Sequence, residues 1–140
     1  MEIAYEPFII SDNKTKLQEE TIYQFLKRSY WANKRSKEKI KKSIENSLCY
    51  GVYDGERQIG FARVITDWAT MFWLCDVFID EDYRGKGIGK MLVKSIVDSE
   101  ELKNLTGILA TLDAHQLYEQ YDFFVESEKC MRRLPEFLRK

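Results

Sequence analysis

Apolar positions along the chain change period several times, and each change marks an element. Residues 3–10 read as a short edge strand, and Ser11-Asp12 as the start of a first helix carrying Leu17, Ile22, Phe25 and Leu26 on one stripe. Tyr30-Trp31-Ala32-Asn33 breaks that stripe. Ser36 is placed to cap a second helix, on which Ile40, Ile44 and Leu48 recur every four residues and the basic run Lys34–Lys42 lies outward. Two strand patterns follow, Cys49–Tyr53 and Gln58–Thr66, joined by the turn pair Asp54-Gly55. After Asp67-Trp68-Ala69, the segment Met71–Ile79 reads as a central strand, apolar on both faces except at Asp76. Ile88, Met91, Leu92, Ser95, Ile96 and Ser99 give the cleanest helical spacing in the chain. Ile108–Leu112 reads as a short buried strand, Leu117, Tyr118 and Tyr121 as a short last helix, and Phe123–Val125 and the stretch around Met131 as closing strands. This order predicts a layered α/β (α+β) domain, with a mixed, mostly antiparallel sheet.

The composition narrows the function classes. A length of 140 residues suits a single domain, and 44% hydrophobic content supports a core. Twenty-two basic residues offset by 23 acidic ones exclude a globally basic nucleic-acid binder. Cys49, Cys75 and Cys130 are dispersed and odd in number, which suits a reducing compartment, and no metal-ligand spacing occurs. The N-terminus is acidic and broken by Pro7, and the most apolar stretch is too short to span a bilayer. The expectation is a cytoplasmic protein with no membrane or nucleic-acid partner. The Lys34–Lys42 run fits a solvated helix face better than an acidic-partner site.

The most informative residues are Arg84-Gly85-Lys86-Gly87-Ile88-Gly89-Lys90, directly between the central strand and the best helix. Glycines let backbone N–H groups turn inward, and the first helical turn offers unpaired donors and partial positive charge, so phosphate is held there readily. Arg84, Lys86 and Lys90 add formal charge. A simple tight connection is the plain alternative. The spacing is neither a Walker loop nor a dinucleotide fingerprint, because no GxxxxGK[ST] is present and a hairpin precedes it.

Read as RxxGxG, Arg84, Gly87 and Gly89 resemble the acyl-coenzyme-A pyrophosphate loop of the GNAT superfamily of N-acetyltransferases. Val77-Phe78-Ile79 looks like that family's fourth strand, and Ala114-His115-Gln116-Leu117-Tyr118-Glu119-Gln120-Tyr121-Asp122-Phe123 resembles its AxxLYEKxGF segment. Asp122 stands where glycine is usual, and Thr111 where many members carry asparagine beside the pantetheine arm. The likeness covers residues 49–125 well, and the first two helices by position and length only. It implies a GNAT-like sheet flanked by helices on both faces and acetyl-CoA as cofactor. Acetyl transfer would run to a primary amine by direct attack in a ternary complex. Homodimers are common in the family.

The resemblance also assigns roles. The phosphates would lie over Arg84, Gly85, Lys86, Gly87, Ile88, Gly89 and Lys90, with Thr111 near the pantetheine arm and the backbones of Val77, Phe78 and Ile79 along it. Tyr118 matches the tyrosine facing the cofactor sulfur, where a protonated phenol can serve as general acid. Its plain alternative is a half-buried core tyrosine. Asp76, a carboxylate inside an apolar strand, is the candidate base; the alternative is an ion pair with Arg63. His115 falls at a variable motif position and reads as structural or solvent-facing. Cys75, with no histidine near in sequence, reads as core. Tyr30, Trp31, Trp68, Phe72 and Trp73 are the aromatic candidates for the acceptor side, Trp31 and Tyr30 foremost. A small-molecule amine is the expected acceptor. The competing functions are a non-catalytic coenzyme-A-sensing module, a protein-lysine acetyltransferase, and an interaction protein using the basic helix.

Overall fold

A computed structural model describes residues 1–139. The strands are β1 (Glu2–Tyr5), β2 (Phe8–Ser11), β3 (Leu48–Asp54), β4 (Arg57–Thr66), β5 (Met71–Ile79) and β6 (Thr106–Ile108). The helices are α1 (Glu19–Lys27), α2 (Lys37–Glu45), α3 (Ile88–Val97) and α4 (His115–Glu119). The strands form one sheet in chain order, antiparallel throughout except for the last pair, β5 with β6. The mixed, mostly antiparallel sheet expected from the sequence is therefore present.

Two cores lie on opposite faces of the sheet. Ile88, Leu92, Val93 and Ile96 of α3 pack on one face against Val52, Ile59, Val64 and Leu74. Ile22, Phe25 and Leu26 of α1 and Ile40 and Ile44 of α2 pack on the other against Cys49, Phe61 and Phe78. Burial of each such side chain stabilises the fold by roughly 1.5–3 kcal/mol. Ser36 caps α2 as expected, its hydroxyl accepting the Lys39 N–H at 3.2 Å.

Several elements differ from the sequence reading. Residues 3–10 are not one strand but a hairpin folded at Glu6-Pro7, with Tyr5 paired to Phe8. The first helix starts at Glu19, not at Ser11-Asp12; the capping chemistry there serves a single 3-10 turn at Lys14–Lys16, closed by the Asn13 side chain on the Thr15 N–H. β6 covers residues 106–108, not 108–112, and the chain leaves the sheet where the strand was expected to run. Among the described residues, no strand forms at Phe123–Val125 or around Met131.

β5 is irregular at one point that matters. Arg63 of β4 pairs with Cys75 and Phe61 pairs with Phe78, so Asp76 and Val77 together oppose Ala62. Asp76 takes the left-handed conformation, φ 54°, which aspartate tolerates better than most residues. The extra residue reverses which face each later side chain takes. Phe72 and Leu74 belong to the α3 core, whereas Phe78 belongs to the α1–α2 core and Val77 again to that of α3.

Candidate active site

The sheet opens beside β5. Its partnership with β6 covers only Met71, Phe72 and Trp73, and β6 ends at Ile108. From the bulge onward, the edge of β5 turned to β6 has no strand beside it. Asp80 donates its N–H to the Ile59 carbonyl at 2.8 Å, so by the alternation of an antiparallel ladder Phe78 points its backbone groups at β4. Val77 and Ile79 point theirs into the opening. The Ile79 carbonyl is taken by the Arg84 Nε at 2.9 Å, and the Arg84 guanidinium lies over the Phe78 ring. Of the three predicted backbone contacts, Phe78 thus has its backbone groups directed at β4 within the sheet. Val77 leaves its N–H and carbonyl, and Ile79 its N–H, without a strand partner among the described residues.

The glycine loop closes the end of this opening. Gly85 and Gly87 both take positive φ, 82° and 79°, and Gly87 caps α3 with no side chain in the way. The first helical bond of α3 runs from the Met91 N–H to the Gly87 carbonyl. Among the described residues, the N–H groups of Ile88, Gly89 and Lys90 have no acceptor, and no carboxylate pairs with Lys86 or Lys90. Free donors, the positive end of a helix and two unneutralised ammonium groups together fit a diphosphate. Two braces hold the loop. Tyr5 donates its hydroxyl to the Lys86 carbonyl at 3.0 Å. Arg28, at the end of α1, grips Glu81 with two nitrogens at 2.9 and 2.8 Å, and this contact holds the Glu81 carboxyl down at about 2.

Gly87 gives a direct check. A Cβ there would come within 2.8 Å of the Tyr5 hydroxyl, in a backbone region costing an L-residue about 1–2 kcal/mol. Gly87→Ala is expected to let the free loop relax out of this shape, so that binding has to restore it, and a cost of that size weakens acetyl-CoA binding by about tenfold in titration calorimetry.

The far wall of the opening comes from α4 and the α1–α2 connection. Tyr118 is buried, its ring edge-on to Phe123 at 6.0 Å. Burial first, then the nearby Tyr30 phenol, push its hydroxyl up to about 12, so it keeps its proton at any physiological pH. Among the described residues, no group hydrogen-bonds this hydroxyl. Asp122, where the GNAT motif usually has glycine, follows α4 at φ 67°, so it keeps the left-handed bend that the glycine would supply. Thr111 accepts the Ala114 N–H on its hydroxyl at 3.0 Å, helping to start α4.

Asp76 is buried, 3% exposed, and accepts hydrogen bonds on both oxygens. Its Oδ1 accepts the Trp31 indole N–H at 3.0 Å, and its Oδ2 accepts from Arg35 at 2.8 Å and Arg63 at 2.9 Å. Arg63 is fixed in turn by the Ser47 hydroxyl at 3.1 Å. The carboxylate expected as the base is thus the hub of a charged cluster. Oδ2 is taken by two guanidinium donors and Oδ1 by the indole N–H, and the ion pair with Arg63 named as the alternative is present. Asp76 instead ties the α1–α2 connection to the bulge. Tyr30, edge-on to Trp31 at 5.0 Å, reaches across to accept the Leu112 N–H at 2.9 Å, beyond the end of β6. Tyr30 and Trp31 therefore both border the opening.

The other candidates separate from it. Trp68 lies on the β4–β5 turn, at the end of β5 away from the bulge, and Phe72 is buried under Gly107. His115 is exposed at the start of α4. Burial pushes the Cys75 thiol up to about 12, which leaves it no nucleophilic thiolate. Arg35, Tyr5 and Arg28 were not singled out from the sequence. Their partners lie 41, 81 and 53 positions away, and only the basic run marked Arg35 at all.

Comparison with known proteins decides the family. Residues 45–124 match the acetyltransferase (GNAT) domain. The chain belongs to the GNAT acetyltransferase family. A Xanthomonas campestris pv. campestris protein assigned to that family is 33% identical, with a TM-score of 0.88 over 94% of this chain and 95% of its own. A Gracilaria tenuistipitata var. liui protein named as an uncharacterized N-acetyltransferase is 28% identical over 68% of this chain and 56% of its own. The chloroplastic GCN5-related N-acetyltransferase 2 of Arabidopsis thaliana is 32% identical over 54% of this chain and 32% of its own. The GNAT chain described here thus spans about half and a third of the lengths of these two relatives. Among its described residues, no helix is long and apolar enough to cross a membrane, and no cluster of metal-binding side chains occurs.

Proposed function

We propose that this GNAT protein transfers an acetyl group from acetyl-CoA to a primary amine of a small molecule, by direct attack within a ternary complex. Acetyl-CoA supplies the activated acyl thioester. Ile88, Gly89 and Lys90 donate backbone N–H groups to its diphosphate, and Lys86 and Lys90 neutralise charge. The Val77 N–H, free at the bulge, donates to the thioester carbonyl oxygen, where a well-aimed amide is worth roughly 3 kcal/mol as negative charge develops. Tyr118 gives its hydroxyl proton to the departing thiolate sulfur. With Asp76 committed to Trp31, Arg35 and Arg63, the amine loses its proton to water. Thr111 borders the path of the pantetheine arm, and Tyr30 and Trp31 offer aromatic faces to the acceptor.

The observation that carries this reading is the free edge of β5 lying between an unneutralised phosphate cradle and a protonated, unpartnered phenol. A module that only senses coenzyme A has no use for that phenol. The test is release of free thiol from acetyl-CoA in the presence of a panel of small primary amines and a lysine peptide. Turnover with a small amine supports the proposal. Binding of acetyl-CoA without turnover on any amine favours the sensing module, and turnover on the peptide alone favours a protein-lysine acceptor.

A further inference from the structure

The cluster around Asp76 is not neutral. Two guanidinium groups, Arg35 and Arg63, meet one carboxylate, and neither pairs with a second carboxylate among the described residues. The two are not equivalent. The Arg63 side chain is 11% exposed and divides its nitrogens between Asp76 and the Ser47 hydroxyl. The Arg35 side chain is 28% exposed and reaches Asp76 through Nη1 alone, at 2.8 Å. One positive charge is therefore left over, and the outer arginine carries it.

Arg35 has a whole edge to spare. Among the described residues its Nε and Nη2 have no acceptor, and the one buried side-chain polar atom without a partner is the Tyr53 hydroxyl, so both nitrogens reach solvent. Nε and Nη2 form the side-on fork of a guanidinium, whose two parallel N–H bonds match the two oxygens of a carboxylate. The protein uses the same fork internally, where Arg28 holds Glu81 by Nε at 2.9 Å and Nη2 at 2.8 Å. The place also suits an acceptor. Asp76 adjoins Val77, whose N–H meets the thioester in the proposed reaction, and Trp31, bonded to the same carboxylate, borders the opening. Asp113, exposed at the approach to α4, lies close enough to Tyr118 for its charge to help push the phenol up. An anion entering the opening is repelled at that end and drawn to Arg35.

We propose that the acceptor is an amino carboxylate, its carboxylate held by the Nε–Nη2 fork of Arg35 and its amine turned toward Tyr118. This rests on the acetyl-transfer reading above and names the substrate class for it. One unmatched positive charge balances a single carboxylate better than the roughly two negative charges of a phosphate monoester.

Two measurements test it. The first is kcat/KM for acetyl transfer to glycine, β-alanine and γ-aminobutyrate, each against its own amide, with aminoethyl phosphate alongside. At least one acid is expected to exceed its amide by about 10–100-fold, the value of a charge-assisted pair, and to exceed the phosphate. That ratio is expected to fall to about twofold in Arg35→Gln and to a few-fold in Arg35→Lys, which keeps a charge against Asp76 but has no fork. Each ratio is read within one variant, so general damage to the fold cancels. The second measurement needs no transfer. The Trp31 indole N–H shares Asp76 with Arg35, so its NMR signal, assigned by its loss in Trp31→Phe, reports on the fork. Millimolar butyrate is expected to shift it saturably in the natural protein and not in Arg35→Gln, with the Trp68 signal unmoved, and butyramide to shift neither. Acids and amides transferred equally, a preference that survives in Arg35→Gln, a phosphate that outruns every acid, or a Trp31 signal indifferent to butyrate overturns the inference. No turnover on any amine, with the butyrate shift intact, sinks the acetyl-transfer reading and leaves the carboxylate site standing.

Discussion

Replacing Tyr118 with phenylalanine is expected to lower kcat for acetyl transfer by about 10²–10³-fold, with the acetyl-CoA dissociation constant changed by no more than about twofold. The asymmetry follows from where the hydroxyl sits. The phosphate cradle is built from backbone N–H groups of the loop and the first turn of α3, none of which bonds to the Tyr118 hydroxyl, and among the described residues that hydroxyl has no hydrogen-bond partner. Single-turnover kinetics and calorimetry on the same preparation separate the two effects. The pH profile adds an independent check. Burial holds the Tyr118 hydroxyl up at about 12 against an ordinary 10. An acid that works protonated therefore stays active through the range in which an ordinary tyrosine would fail, and kcat is expected to hold between pH 9 and 10. The stability linkage has the same sign. The contribution of Tyr118 is complete below pH 10, where the unfolded phenol is still protonated, and is lost as pH rises from there through about 12. A kcat unchanged in the phenylalanine variant would reduce Tyr118 to a core residue.

Asp76→Ala is expected to destabilise the protein by about 3–5 kcal/mol, because it strands the Arg63 guanidinium, 9% exposed, without its partner. In a chain of this size that corresponds to a fall in Tm of roughly 10–20 °C by calorimetry. Asp76→Asn tests the chemistry apart from the fold, since asparagine also tolerates the left-handed conformation and can still accept the indole N–H. If Asp76 were the base, the acidic limb of the kcat profile would vanish in this variant. The ion-paired role predicts that the limb stays and that thermal stability drops.

How far the site could be read from the sequence depended on how local its causes are. The glycine loop, β5 and α3 were legible because glycine spacing, an unbroken apolar run and a helical stripe are each set within about a dozen residues. The family likeness rested on those same residues and on the Leu117-Tyr118 segment. Asp76 was visible as an anomaly, but its meaning depended on Arg35 and Trp31, which arrive from a connection 41–45 positions earlier. The bulge was not visible, since a strand with one extra residue keeps the same composition. The closing strands were misread for a related reason. Phe123–Val125 has strand-forming side chains, but a strand needs a neighbouring edge to pair with, and that is set by residues far away in the sequence.

The bond from Tyr5 to the Lys86 carbonyl has a practical corollary. A seven-residue loop that looks portable is shaped partly by a phenol from the amino-terminal hairpin. Transplanting residues 84–90 into another scaffold would carry the glycines across but leave behind the strut that sets their curvature, so the graft needs a surrogate donor at that carbonyl.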